Sequence, residues 1–214
     1  QQCTPADVVH ININQYSYKK SQYAVRKQNV TVLHIAAENG HDGFITALYN
    51  LFGDTIDVNA RDGSIRTALM VAAKNGHADC ITALYNIYGD KIDCNAIDKD
   101  KKRNALMLAT RSNRADCITT LYKIYGDKID CNAFDCYNYN VLMIAAVIGS
   151  TDCITALYNS YGNKINCNTV AIDKFNYNVL MLAIIKGNTN CITTLYNTYG
   201  EHFDCNAVGG CYKR

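Results

Sequence analysis

Proline is nearly absent from this chain and tryptophan is missing altogether: the 214 residues hold one Pro and no Trp. Asn, Ile, Lys and Tyr are abundant instead, a bias typical of an AT-rich genome that carries no chemistry. More telling are the missing motifs. There is no Gly-rich phosphate loop, no metal motif and no nucleophile elbow. No Cys-x-x-Cys pair occurs, and five scattered His supply no obvious zinc partners. His10, His34 and His202 lack an evident acid or base neighbour. Charge of one sign is not in excess either. The net charge is +2 with both signs mixed along the chain, so no basic stripe exists for nucleic acid. No apolar run approaches the roughly 18 residues of a membrane span. An enzyme, a nucleic-acid binder and a membrane-spanning protein are therefore not expected, and no cofactor is called for.

What the chain has is repetition. Corresponding leucines fall at Leu33, Leu69, Leu106, Leu142 and Leu180, with steps of 36, 37, 36 and 38 residues. The second half of each unit is nearly copied, from Cys80-Ile-Thr-Ala-Leu-Tyr-Asn-Ile-Tyr-Gly to its counterparts at Cys117, Cys153 and Cys191. A period in the thirties indicates stacked supersecondary units rather than a single globular core.

Each unit reads as two short amphipathic helices and a turn. The inner segment is small and apolar, as in Val32-Leu33-His34-Ile35-Ala36-Ala37, and its alanines allow close helix approach. A break such as Asn39-Gly40-His41 or Asn75-Gly76-His77 follows, where Gly suits a left-handed helix end. His41 and His77 are expected to serve packing and turn hydrogen bonds. Asp79, Asp116 and Asp152 are placed to cap the outer segment. Within that segment Ile81, Leu84, Tyr85 and Tyr88 fall at helical spacing. Gly89, Gly126, Gly162 and Gly200 end it. Asp57, Asp93 and Asp130 recur with the repeat and read as turn formers. The charge run Asp98-Lys99-Asp100-Lys101-Lys102-Arg103 reads as a solvated tip.

This pattern resembles the ankyrin repeat. Thr31-Val32-Leu33-His34-Ile35-Ala36-Ala37, Gly40-His41 and Asp57-Val58-Asn59-Ala60 match the family motifs, which recur in register over roughly residues 29–208. The motif Pro is replaced by Val or Ala in every repeat. The motif His survives as His34, with Met70, Met107, Met143 and Met181 in its place elsewhere. One or two residues are added before the Asp-x-Asn-Ala turn. The resemblance implies an all-α solenoid of antiparallel helix pairs with projecting turns, and an array that binds proteins. Five repeats are expected at about 29–66, 67–103, 104–139, 140–177 and 178–208. A half-repeat helix and linker precede them at 1–28, and a tail follows at 209–214.

Eight of the eleven cysteines come in pairs 14 apart: Cys80 and Cys94, Cys117 and Cys131, Cys153 and Cys167, Cys191 and Cys205. Repeat one has Phe44 and Val58 at those positions. In the ankyrin arrangement the two cysteines of a pair lie at opposite ends of the outer helix. About ten helical residues would hold them roughly 15 Å apart, whereas a disulfide needs Cα atoms within about 7 Å. The eight are read as buried thiols. A disulfide within each repeat, and zinc, stand as alternatives. Cys3, Cys136 and Cys211 fall outside the rule and are candidates for intermolecular disulfides.

The ends of the array direct the functional expectation. The last outer helix, Cys191 to Tyr199, has not been made polar as a solenoid cap usually is. Thr4-Pro5-Ala6-Asp7 opens a worn helix at the other end. An end-to-end interface is expected between Val8, Val9, Ile11 and Ile13 of one copy and Ile192, Leu195, Tyr196 and Tyr199 of the next. Such a heterologous contact builds filaments when it does not close. Self-assembly into extracellular filaments or a lattice, locked by Cys3 and Cys211, is the first reading. The start at Gln1, with no initiator Met, is what signal-peptide removal would leave, although an artificially chosen start would look the same. The alternative is a secreted binding module that grips a host protein with its concave face and its varied finger turns. Two tyrosine columns run through the repeats. One begins at Tyr49 and Tyr85, the other at Phe52 and Tyr88. They are read as core packing or else as a convex aromatic strip. The sequon Asn29-Val30-Thr31 would accept a glycan where the source glycosylates it.

Overall fold

The computed structural model describes residues 29–171, 176–204 and 206. Among them are ten α-helices in five antiparallel pairs. The inner helices are α1 (Val32–Asn39), α3 (Ala68–Asn75), α5 (Ala105–Arg111), α7 (Val141–Ile148) and α9 (Val179–Ile185). The outer helices are α2 (Asp42–Phe52), α4 (Ala78–Tyr88), α6 (Ala115–Tyr125), α8 (Thr151–Tyr161) and α10 (Thr189–Tyr199). Inner helices contact inner, outer contact outer, and each pair touches the pairs beside it. The result is a two-layer solenoid whose core is one continuous apolar cluster.

Local chemistry explains each boundary. Thr67, Asn104, Asn140 and Asn178 begin inner helices, their side chains accepting the N–H of Met70, Met107, Met143 and Met181. In the first repeat His34 replaces that Met. Its Nδ1 accepts from the Thr31 N–H, and its Nε2 lies 2.7 Å from the Arg66 carbonyl. Burial holds the His34 imidazole below its usual pKa. Gly40, Gly76 and Gly149 end inner helices at positive φ. Asn113 does the same in the third repeat at φ 57, as Asn tolerates better than most residues. The close approach is also steric: a Cβ on Gly40 would lie 2.7 Å from Nδ1 of His77. The expected caps of the outer helices are corrected here. The N-cap positions are His77, Arg114 and Ser150. Asp79, Asp116 and Asp152 sit in the first turn, where they complement the helix dipole.

Three ladders tie neighbouring repeats. The first is made of amides. Asn59 donates Nδ2–H to the Lys91 carbonyl at 2.7 Å and accepts the Asp93 N–H at 2.8 Å. Asn95, Asn132 and Asn168 repeat this with Lys128 and Asp130, Lys164 and Asn166, and His202 and Asp204. The side chain two residues before orients each rung: Asp57, Asp93, Asp130 and Asn166 accept the N–H of Asn59, Asn95, Asn132 and Asn168. The second ladder is aromatic. Tyr49–Tyr88, Tyr85–Tyr125, Tyr122–Tyr161 and Tyr158–Tyr199 meet edge to face, with centroids 4.9–5.4 Å apart. Tyr88, Tyr125, Tyr161 and Tyr199 are buried and their partners half-buried, so this side carries an interlocked core rather than a free aromatic strip. The third ladder pairs Lys91, Lys128 and Lys164 with Asp54, Asp90 and Asp127 of the repeat before. These ion pairs are exposed and contribute little in salt.

Asn95→Ala or Asn132→Ala removes two backbone hydrogen bonds between repeats. Each should lower unfolding free energy by about 1–2 kcal/mol, read as a lower urea midpoint at unchanged m-value. Asn206→Ala, at the last such position, should leave the midpoint unmoved.

Candidate functional site

Finger turns project between successive repeats, and the first three are held by an aspartate at the root; Ala171 takes that position in the fourth, where its N–H bonds the Tyr177 carbonyl. Asp62 accepts the N–H of Ser64 and of Arg66 and is gripped by the Arg66 guanidinium. Asp135 accepts the N–H of Tyr137 and of Tyr139, and Arg103 reaches it from the finger before at 2.8 Å. Both carboxylates are buried and charge-paired, as buried charge requires. Asp98 accepts the N–H of Lys101 and of Arg103. Backbone bonds join the fingers to one another: Lys99 N–H to Ser64 O, and Cys136 N–H to Lys101 O. The Lys101 ammonium lies 4.5 Å from the Tyr137 ring centroid. The charge run at residues 98–103 is therefore more than a solvated tip. Asp98 holds the turn, Lys101 and Arg103 bridge to the next finger, and Lys99, Asp100 and Lys102 face solvent.

On these turns sit large exposed apolar side chains, at least one per finger: Ile65, Ile97, Phe134, Tyr137 and Val170. Elsewhere, exposed apolar residues gather at the two ends, Phe44 and Leu51 in the first pair and Ile184, Ile185 and Tyr196 in the last. A depression of about 490 Å³ lies between α6 and α8, lined by Thr119, Tyr122, Lys123, Asp152, Thr155, Ala156, Asn159 and Ser160. Among the described residues, no group of three or more His, Cys, Asp or Glu is placed to hold a metal ion.

The expected end face needs correction at its C-terminal side. Leu195 and Tyr199 are fully buried inside the array, Ile192 is partly buried, and Tyr196 is 73% exposed. Tyr199 turns back to meet Tyr158. Val8, Val9, Ile11 and Ile13 lie outside the described residues, as do Cys3, Cys205 and Cys211. The eight described cysteines are free thiols, so the pairing within repeats is not made. Cys80, Cys117, Cys131, Cys153, Cys167 and Cys191 are buried, Cys94 is half-buried, and Cys136 is exposed on a finger. The Cys80 thiol points at the Ala36 carbonyl of the repeat before, at 3.9 Å, and the Cys94 thiol at the Lys128 carbonyl of the repeat after, at 3.8 Å. Burial pushes Cys80 up to about 11 and Cys117 up to about 12. It also pushes Tyr88 up to about 12 and raises Tyr125, Tyr161 and Tyr199 further. Their hydroxyls are buried without a hydrogen-bond partner.

A family model described as "Ankyrin repeats (3 copies)" matches residues 6–98, 33–135, 86–169 and 128–208 in overlapping windows. The chain is a member of the ankyrin-repeat family. No curated protein matches it. An ankyrin array is a protein–protein interaction module, and its shared motifs are structural. Among the described residues no helix is long and apolar enough to cross a membrane.

Two outcomes follow from the buried groups of this array. Among the described cysteines Cys136 should react first with iodoacetamide in the native protein, while Cys80, Cys117, Cys153 and Cys191 stay unlabelled until denaturation, as read by peptide mapping. Stability should also fall in alkali. In the unfolded chain thiols ionise from about 8.5 and tyrosines from about 10, while the native state keeps those protons until about 11–12. The unfolded state thus holds fewer protons above pH ~8.5, and stability declines as pH rises through that window. The urea midpoint should be level from pH 7 to 8 and fall progressively above about 9, less steeply in Tyr125→Phe.

Proposed function

We propose that this array holds a protein partner along its finger edge and concave face. The observation that carries the reading is the run of exposed Ile65, Ile97, Phe134, Tyr137 and Val170 over four successive fingers. Contiguous exposed apolar side chains mark interaction surfaces more than scattered ones do, and aromatic residues on a fixed backbone are favoured anchors. Photocrosslinking tests the reading. Benzoylphenylalanine at position 97 or 134, in extract of the cells that contain the protein, should give a discrete protein adduct. The same probe at Asn86 or Asn159 on outer helices should give none. Adducts from the outer positions, or from no position, would overturn it.

A second reading, end-to-end stacking of copies, is favoured by the exposed apolar residues of the fifth helix pair. Tyr85, Tyr122 and Tyr158 are each covered by a ring of the next repeat, and Tyr196 is not. Ile184 is exposed where Ala37, Ala73, Thr110 and Ala146 are buried. At the opposite end Phe52 occupies the position of Tyr88 and would offer Tyr196 a ring. The ion ladder gives no such match, because Thr55 stands where Lys91 stands and supplies no cation for Glu201. Cys136 lies on a finger away from both ends, so an end lock would fall to Cys3 and Cys211. Light scattering with and without reductant decides. Growth beyond the 23.8 kDa chain that Tyr196→Asp abolishes supports stacking. A constant monomer rules it out.

A further inference from the structure

Two columns of side chains run along the inner helices and the fingers, and both change character in the same direction. On the inner helices the column reads Glu38, Lys74, Arg111, Val147, Ile185, all exposed except the half-buried Val147. On the fingers, at the position before the root aspartate or its counterpart, it reads Arg61, Ile97, Phe134, Val170, all exposed. In both columns the charged residues come first and the apolar ones last, the change falling between Arg111 and Val147 on the helices and between Arg61 and Ile97 on the fingers. Lys99 and Lys102 add exposed cations at the second finger, against the acids Glu38 and Asp100.

We propose that the concave face takes a protein segment in one direction only, with an acidic cluster over Lys74 and Arg111 and an apolar cluster over Val147 and Ile185. The proposal rests on reading this face as the binding surface. Charge complementarity sets the acidic end, steering encounter and register. Desolvation of Val147, Ile185 and Phe134 anchors the other end. The centres of the two clusters are two repeats apart. At about 10 Å per repeat that is ~20 Å, which roughly six residues of extended chain span at ~3.3 Å each. A nucleic acid fits less well, since a phosphate backbone needs cations along its whole length and the two columns carry only apolar residues from Phe134 and Val147 onward.

A peptide library displayed on phage, panned on the full chain, tests this. Recovered peptides should carry Asp or Glu separated by about six residues from Leu, Ile or Phe. Their binding should weaken at least about tenfold in Lys74→Glu/Arg111→Glu and in Val147→Asp/Ile185→Asp. It should also weaken between about 50 and 500 mM salt, and stay unchanged in Thr155→Glu on an outer helix. Thermal unfolding of each variant shows whether the fold is intact. Should either double variant unfold, Arg111→Gln and Ile185→Ser replace it. Peptides that need the groove but are basic, or lack acids, overturn this inference and leave the binding function standing. An oligonucleotide that displaces the peptides and binds as tightly overturns the assignment to protein. Binders indifferent to every groove and finger substitution, or a library that yields no binder, overturn both.

Discussion

The amide rung of Asn59, Asn95, Asn132 and Asn168 is the constraint on which the stack depends. Each carboxamide satisfies one carbonyl and one N–H on the turn of the following repeat. Both bonds form together only in one register, so a slip of one residue leaves two backbone groups unpaired. The rung also fixes how far apart neighbouring turns sit. At that spacing the tyrosine of one outer helix meets the edge of the next, and the alanines of the inner helices close without a gap. Every rung of every ladder joins residues in adjacent repeats, so stability accumulates repeat by repeat rather than around one centre.

That arrangement explains which parts of the molecule were legible in the sequence. The spacing of Leu33, Leu69, Leu106, Leu142 and Leu180 marks five helix pairs, and glycines such as Gly40 and Gly89 mark where helices end. The rungs were hidden, because an Asn in a polar turn looks the same whether it faces water or a neighbour's backbone. Facing was hidden too. Apolar spacing on α10 shows that Leu195, Tyr196 and Tyr199 lie on packed sides, but an outer helix has two such sides. Leu195 and Tyr199 face back into the array, and Tyr196 faces forward. The first-turn aspartates look like caps in the sequence, but each cap lies two residues earlier, directly after Gly76, Asn113 or Gly149 at positive φ. The cysteine spacing points away from disulfides once the repeat geometry is assumed.

The thiols and tyrosines show what the repeat tolerates in its core. Val58 takes the second cysteine position in the first repeat and is buried there, so that site accepts a modest apolar volume with no sulfur chemistry, whereas Phe44 at the first position is exposed. A buried hydroxyl with no partner costs free energy, and four recur at Tyr88, Tyr125, Tyr161 and Tyr199. The edge-to-face contact and the area each ring buries offset that cost. A phenylalanine would give both without it, and the half-buried Phe52 is the one position of that column without the hydroxyl. The structure contains no contact that explains why tyrosine is kept in the other four.

The charge gradient of the concave face follows from what the ladders leave unconstrained. Glu38, Arg111 and Ile185 occupy one position of the repeat yet range from acid to base to aliphatic, because neither the amide rung nor the tyrosine contact touches it. The same holds for Arg61, Ile97, Phe134 and Val170 on the fingers. Substitution there changes what the surface recognises and leaves the stack intact. The first three fingers nevertheless stay rigid, since Asp62, Asp98 and Asp135 hold their turns from inside and Arg103 ties one finger to the next. A surface ordered before binding loses less freedom on association. The repeat thus separates two tasks by position. Residues that face the next repeat are held nearly constant by packing, and residues that face outward are free to become directional.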